Sequence, residues 1–330
     1  MIEIKDKSLK DWKFIDLFAG IGGFHYAISS FGAKCVMASE WDKHAMNVYY
    51  TNHKVKPLGD ITCIDEEDIP KHDILAGGFP CQAFSISGKQ KGFEDTRGTL
   101  FFDVARIVDK HKPKILFLEN VKNFIRHDNG NTIKVVQNTL KQLGYEVFIK
   151  VLNTSNYGLP QNRERVFIIG FRQGIRKKDF KFPESLNKKV SLNEFLEEDI
   201  SEVKIVNRRD IKIYKNPQLT PSLFNDFEIP NRPLQIGTVN KGGQGERIYH
   251  PNGHAVTLSA YGGGVGSKTG LYYIDGKIRK LTPRECANIQ GFPKSFKLHE
   301  NKNQSYKQFG NSVSVDVLQH ILKKIVYSVE

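Results

Sequence analysis

Pro80-Cys81-Gln82 ends the apolar run from Asp73 to Phe79, and Glu119-Asn120-Val121 ends the next apolar run in the same way. Two arginines, Arg163 and Arg165, alternate just before a third. In an open α/β sheet the groups at the carboxyl ends of strands face ligands. A thiol and a carboxyl group would therefore stand at neighbouring strand ends. That pair suits covalent addition to an electron-poor ring. If residues 163–165 are extended, both arginines share one face. Their guanidiniums would then steady a thiolate and grip a carbonyl or phosphate in the same pocket. Without Cys81, the arginine pair would read as a solvated strand edge.

Cytosine is a ring that needs this help. Its carbon 5 is a poor nucleophile, but a thiolate added at carbon 6 converts the ring into an enamine whose carbon 5 can attack a methyl sulfonium. A carboxyl group at N3 would stabilise the charge that builds there, the part expected of Glu119.

The elements that must hold these groups are legible as a pattern. The first half alternates short apolar runs with helical spacing, which predicts a parallel sheet covered by helices, a Rossmann-like α/β architecture. Strands are expected near residues 13–18, 35–39, 73–76, 115–118, 147–151 and 166–169, and helices near 23–31, 43–51, 100–110 and 132–143. From about Ser191 the alternation fades and prolines and glycines accumulate, as in a smaller loop-rich domain. Residues 313–326 return to helical spacing. The expected division is 1–190 with 311–330, then 191–282, with 283–310 as a hinge.

After the first strand, Phe18-Ala19-Gly20-Ile21-Gly22-Gly23 is a small-residue turn that lets backbone approach a ligand at a helix N-terminus. Twenty residues beyond Gly20, Glu40 ends the second strand, placed to accept from ribose hydroxyls. Trp41 beside it can lie against a purine, and Asp60 can accept from an adenine amino group. The turn is not GxGxxG and does not distinguish a nicotinamide dinucleotide from S-adenosylmethionine. Cys81 and Glu119 decide for the methyl donor.

Lys and Arg outnumber Asp and Glu by 49 to 36, a formal charge of +13. Such an excess fits solubility alone as well as a polyanionic partner bound through counterion release. Two loops point to nucleic acid. Residues 82–99 carry Ser85, Ser87, Lys89, Lys91 and Arg97 among hinge-capable glycines, a candidate lid. Residues 242–247, Gly-Gly-Gln-Gly-Glu-Arg, leave Gln244 and Arg247 free of bulky neighbours. Arginine can read guanine bidentately, and chemistry on a duplex base requires flipping it out. The four cysteines, Cys35, Cys63, Cys81 and Cys286, form no CxxC pair, so neither zinc nor a disulfide framework is expected. Cys35 reads as core. No stretch approaches the ~18 apolar residues that span a bilayer. Residues 1–7 do not read as a signal peptide, and a cytoplasmic protein is expected.

The blocks Asp16–Phe24, Gly78–Gln82, Glu119–Val121, Gln161–Arg165 and Gly310–Val313 resemble, in order, the motif blocks of DNA (cytosine-5) methyltransferases. Within that family the chain is most similar to the Hha-type bacterial modification enzymes that act on GCGC, through residues 84–95 and 242–249. Ile21, Ala76-Gly77 and Asn162 depart modestly from the family pattern. The resemblance implies Cys81 as nucleophile, Glu119 as the N3 partner, and Arg163 and Arg165 as pocket supports. It implies S-adenosylmethionine contacts from Phe18, Ala19, Gly20, Gly22, Gly23, Glu40, Trp41, Asp60, Ile61, Gly78, Pro80, Leu100, Asn311 and Val313. For double-stranded DNA it implies Ser85, Ser87, Lys89, Arg97, Gln244, Arg247, Thr257, Ser259 and Tyr261. A restriction–modification role follows from it, with a monomeric enzyme whose restriction endonuclease is a functional partner only. The rival readings are an RNA cytosine-5 methyltransferase, a DNA-binding module without activity, and a nicotinamide-dependent oxidoreductase.

Overall fold

A computed structural model of the chain describes residues 8–80, 100–186, 188–198, 203, 205–214 and 231–330. Its contacts divide the chain into two units. The first is Ile2–Leu152, Glu164–Pro183 and Leu318–Glu330; the second is Met1, Asn153–Arg163 and Glu184–Val317.

The first unit holds a six-stranded sheet of β1 (Lys13–Leu17), β2 (Lys34–Ser39), β3 (Ile74–Gly78), β4 (Ile115–Val121), β5 (Tyr145–Asn153) and β6 (Glu164–Arg172), in the order β2-β1-β3-β4-β6-β5. Helices α1 (Gly23–Ser30), α2 (Lys43–His53), α3 (Leu100–His111) and α4 (Asn131–Gln142) alternate with the strands. β3 and β4 begin as unbroken apolar runs because helices cover both faces of such a sheet. Ile74, Leu75, Ala76 and all of Ile115–Leu118 are fully buried. α3 turns Phe101, Val104, Ala105, Ile107 and Val108 inward, the spacing of one helical face. Asp42 caps α2 by accepting from the His44 and Ala45 amides, as a short acidic residue at this position does.

β1 is parallel to both β2 and β3, and β3 to β4. The chain leaves β1 for β2 on one side and later adds β3 on the other, so the strand order reverses at β1/β3, the place where such sheets bind ligands. The expectation of an all-parallel sheet is corrected at one edge: β6 is antiparallel to β4 and lies between β4 and β5. A parallel neighbour needs a long crossover, usually an α-helix; residues 154–163, between β5 and β6, hold only a four-residue 3-10 helix, Thr154–Tyr157. Apolar runs show where strands lie but carry no direction, so the sequence pattern missed the reversal.

The second unit has a five-stranded sheet of β7 (Lys212–Ile213), β8 (Leu234–Thr238), β9 (Arg247–His250), β10 (Leu271–Ile274) and β11 (Lys277–Arg279), in the order β11-β10-β9-β8-β7. It carries a small core of Ile236, Val239, Ile248, Leu271 and Ile278. Helices α5 (Pro283–Asn288) and α6 (Lys302–Asn311) follow, and α7 (Val315–Val329) passes into the first unit at Leu318. The boundaries differ from the expected ones, since residues 153–163, 184–190 and 283–317 are grouped with the second unit. Hydrogen bonding explains the first of these. Ala255 N donates to Pro160 O (2.7 Å) and Asn162 N to Ala255 O (2.9 Å). The buried Gln161 amide donates to Ile289 O (3.1 Å) and accepts from Leu258 N (3.2 Å). Among the described residues, no helix is long and apolar enough to cross a membrane.

Burial leaves several imidazoles of the first unit hard to protonate. His72, whose Nδ1 faces Pro70 O at 2.8 Å, is pushed down to about 4, chiefly by desolvation. The unfolded chain, titrating near 6.5, binds this proton more readily than the native one. Its contribution to stability is therefore present above pH 6.5 and declines as pH falls towards 4. Replacing His72 with Asn should flatten the dependence of urea-unfolding free energy on pH in that window by about 1 kcal/mol per unit. Parallel profiles for the two chains would contradict this.

Candidate active site

Glu119 sits near the carboxyl end of β4 and pairs in register with Gly78, at the end of β3. Arg165, early in β6, fixes the acid: its Nε lies 3.0 Å from Glu119 Oε1, with the two side chains 15% and 9% exposed. The same guanidinium donates to Glu164 O at 2.8 Å. Burial pulls Arg165 below the ordinary arginine range, and the Glu119 charge restores part of the loss. An ion pair shielded to this degree acts at short range with little screening, so the carboxyl group is oriented before any ligand arrives.

Asn120, next along β4, is buried and donates from Nδ2 to Phe79 O at 2.8 Å, while its Oδ1 accepts from Val121 N at 2.8 Å. This amide ties the end of β4 to the backbone that leads into Pro80 and Cys81. Sequence reasoning quoted Asn120 but gave it no role, because nothing in a tripeptide reveals which carbonyl its side chain will meet. Cys81 lies outside the described residues, as do Ser85, Ser87, Lys89 and Arg97 of the expected lid.

Arg163 has a different task from the expected one. β6 starts at Glu164, and the preceding Arg163 belongs to the second unit with only 1% of its surface exposed. Its guanidinium donates to Leu258 O (2.9 Å), Gly310 O (2.9 Å) and Ser312 O (2.6 Å). These bonds join the segment bearing Thr257, Ser259 and Tyr261 to the one bearing Asn311 and Val313. The expectation that Arg163 and Arg165 act on one pocket is therefore replaced: Arg165 orients Glu119, and Arg163 is a buried clamp.

Around the β1/β3 switch, most residues expected to hold the donor lie at the strand ends. Glu40, after β2, accepts from Gly20 N with Oε2 and from Asp42 N with Oε1, both at 2.8 Å. Burial raises its carboxyl above the usual range against the pull of those amides. Gly20 has open space where a side chain would stand. Trp41 is 78% exposed, an unusual state for an indole in a folded domain. Asp60 uses Oδ1 to hold Thr62 N and Oγ1, each at 3.0 Å. An open turn, an exposed aromatic face and two carboxylates fit an adenosine bearing a short charged tail. Ala19, Gly23 and Ile61 are buried, Phe18 and Leu100 partly so, and Pro80 is exposed. The Ile61 side chain is core, and its carbonyl accepts from Arg106 at 2.7 Å. Asn311, exposed, and Val313, buried, belong to the second unit.

In the second unit, Gln244, Arg247, Thr257 and Tyr261 are exposed, Tyr261 by 75%, and Ser259 is half-buried. The 242–247 loop is shaped by its own side chains. Glu246 accepts from Asn240 Nδ2 (2.9 Å) and Gly243 N (3.0 Å). Gly245 has φ +81°, and a Cβ there would stand 2.4 Å from Gly263 O, so only glycine lets the two loops touch backbone to backbone. Gly266 N seals the contact on Gly245 O at 2.7 Å. Gln244 and Arg247 thus project from a loop braced by the one that follows Tyr261.

Residues 12–327 match the family model for C-5 cytosine-specific DNA methylases. The chain is 54% identical to the type II methyltransferase M.HhaI of Haemophilus parahaemolyticus, over 98% of this chain and 97% of that protein. It is 44% identical to the type II methyltransferase M.NgoBI of Neisseria gonorrhoeae, over 93% and 91%. Among solved structures, the Dnmt2 methyltransferase of S. pombe shares the fold with a TM-score of 0.69 at 18% identity, covering 96% of this chain and 98% of that one.

Proposed function

Since the chain belongs to the C-5 cytosine-specific DNA methylase family, we propose that its DNA cytosine-5 methyltransferase activity proceeds through Cys81 on a flipped cytosine within GCGC. S-adenosylmethionine is the methyl donor of this family, and when bound it supplies an electrophilic methyl group on a sulfonium. The observation that carries the proposal is the Arg165–Glu119 pair, held across from Gly78 three residues before the thiol.

In this reading the Cys81 thiolate forms a bond to carbon 6 of the extruded base. Glu119, held by Arg165, steadies the charge at N3 as the ring becomes an enamine. Carbon 5 then takes the methyl group. Loss of the carbon-5 proton to solvent and expulsion of the sulfur restore the aromatic ring. Glu40, Trp41 and Asp60 hold the donor's adenosine, and the Gly20–Gly22 backbone approaches its charged tail. Gln244 fills the space left by the base, and Arg247 reads guanine. Ser85, Ser87, Lys89, Arg97, Thr257, Ser259 and Tyr261 hold the strand. The enzyme works as a cytoplasmic monomer that protects its host's DNA from a restriction endonuclease of the same specificity.

Plasmid carrying GCGC sites, recovered from cells expressing the chain, should resist a nuclease that cuts GCGC. Full cutting overturns the assigned site, and methyl transfer confined to transfer RNA overturns the choice of DNA. Arg247→Ala should reduce discrimination between GCGC and single-mismatch duplexes by about 1–3 kcal/mol, the worth of one bidentate base contact. Equal ratios of kcat/KM for the two chains would remove Arg247 as a reader.

A further inference from the structure

A cluster of titratable side chains beneath the glycine turn is used by no step above. His25 of α1, Tyr49 and His53 of α2, Asp16 of β1 and Cys35 of β2 meet there. The His53 ring stacks on His25 with centroids 4.0 Å apart and planes 24° from parallel. The Tyr26 ring meets His53 in an edge-to-face arrangement, with centroids 4.7 Å apart. His25 Nδ1 lies 2.8 Å from the Tyr49 hydroxyl, which donates to Asp16 Oδ2 at 3.3 Å and has Cys35 Sγ at 3.8 Å.

Two contacts bring this cluster to the turn. His53 Nε2 lies 3.2 Å from Ile21 O; a carbonyl can only accept, so Nε2 carries the proton. Gly22 has φ +88°, and a Cβ built on it would stand 2.1 Å from the same Nε2, far inside van der Waals contact. The imidazole therefore fills the volume that a side chain at Gly22 would need. We propose that His53 is a positioning residue for the methyl-donor turn, holding the Ile21–Gly22 backbone from below so that donor affinity, rather than turnover, depends on it.

The turn is then fixed at two points, with the Gly20 amide on Glu40 and the Ile21 carbonyl on His53. A loop fixed in its binding shape spends less free energy on ordering when ligand arrives. Desolvation brings His53 down to about 4 and His25 to about 3, so both rings are neutral at pH 7 and can stack without repulsion.

The inference rests on the donor site proposed above, and the experiment separates the two. Donor KM, DNA KM and kcat are measured for the full chain and for His53→Ala, His53→Phe, Gly22→Ala and the Gly22→Ala/His53→Ala double variant. His53→Ala should raise donor KM about tenfold, equivalent to ~1.4 kcal/mol, with kcat and DNA KM within about twofold. His53→Phe restores the volume without the hydrogen bond, so its donor KM should fall between the two. Gly22→Ala should be worse alone than in the double variant, because removing the imidazole makes room for the new methyl group. An unchanged donor KM in His53→Ala, or donor and DNA KM rising together, overturns the inference. If His53→Ala does not fold, His53→Phe carries the test: a raised donor KM with kcat and DNA KM within about twofold supports the inference, and a wild-type donor KM overturns it. Failure of the unmodified chain to bind S-adenosylmethionine would instead overturn the donor site itself.

Discussion

Cys81→Ser should abolish measurable methyl transfer while duplex binding persists. A hydroxyl is slightly smaller than a thiol and hydrogen-bonds more strongly, so the exchange leaves no large void and little of the protein has reason to move. The chemistry changes far more. The thiolate is the reactive form, available from a group with a free pKa near 8.5, whereas serine has no comparable anionic population. Without addition at carbon 6, carbon 5 stays a poor nucleophile however well the donor is placed. Glu119, Arg165 and the Asn120 tie to Phe79 O would all remain, and none can replace the missing bond. The check is labelled methyl incorporation beside a gel-shift titration of the same oligonucleotide. Substantial incorporation by the serine chain would end the thiolate mechanism. As a companion, 5-fluorocytosine in the site should trap an adduct with the unmodified chain and none with the variant.

Arg163→Met should lower the stability of the protein by about 3–5 kcal/mol, from buried carbonyls that lose their donor at about 1–3 kcal/mol each. The Leu258 and Gly310 carbonyls lose the guanidinium at once, and Ser312 O keeps only a long bond from Gln290 Nε2 at 3.5 Å. Water cannot readily reach a site of which 1% is exposed, and each unsatisfied acceptor costs free energy. Methionine keeps the hydrophobic length, so the loss reports the guanidinium rather than the packing. Arg163→Lys should recover only part of it, because one ammonium cannot match a planar fork on three acceptors. Urea unfolding is the measurement, and a Met variant within ~0.5 kcal/mol of the parent would contradict the clamp.

The two arginines show where sequence reading succeeds and where it stops. Strand-end position and residue type marked Glu119 and Arg165 as candidates for one pocket, but not their pairing with each other, which the fold makes. The fate of Arg163 was not legible. It depends on which segments lie within reach, and those come from residues about 95 and 150 positions along the chain. The same limit hid the reversed β6, since burial of an apolar run is direction-blind, and the task of His53, which lies in a helix with no local sign of the carbonyl it meets. By contrast, Glu40 and Trp41 were legible as candidates because they directly follow β2, whereas Asp60, expected at a strand end, follows only the isolated bridge residue Gly59 and caps a short turn. Composition alone left a polyanionic partner level with mere solubility, because a net charge does not say where its cations cluster.

The backbone contact of Gly245 with Gly263 and Gly266 bears on how such an enzyme changes its target. If they read DNA as proposed, two segments moulded to each other this closely should have to be exchanged together. Grafting only 242–247 from a relative of different specificity would set a foreign surface against 262–266 and spoil both. New preferences should therefore arise more readily by exchanging the whole stretch between them than by point changes at the tips.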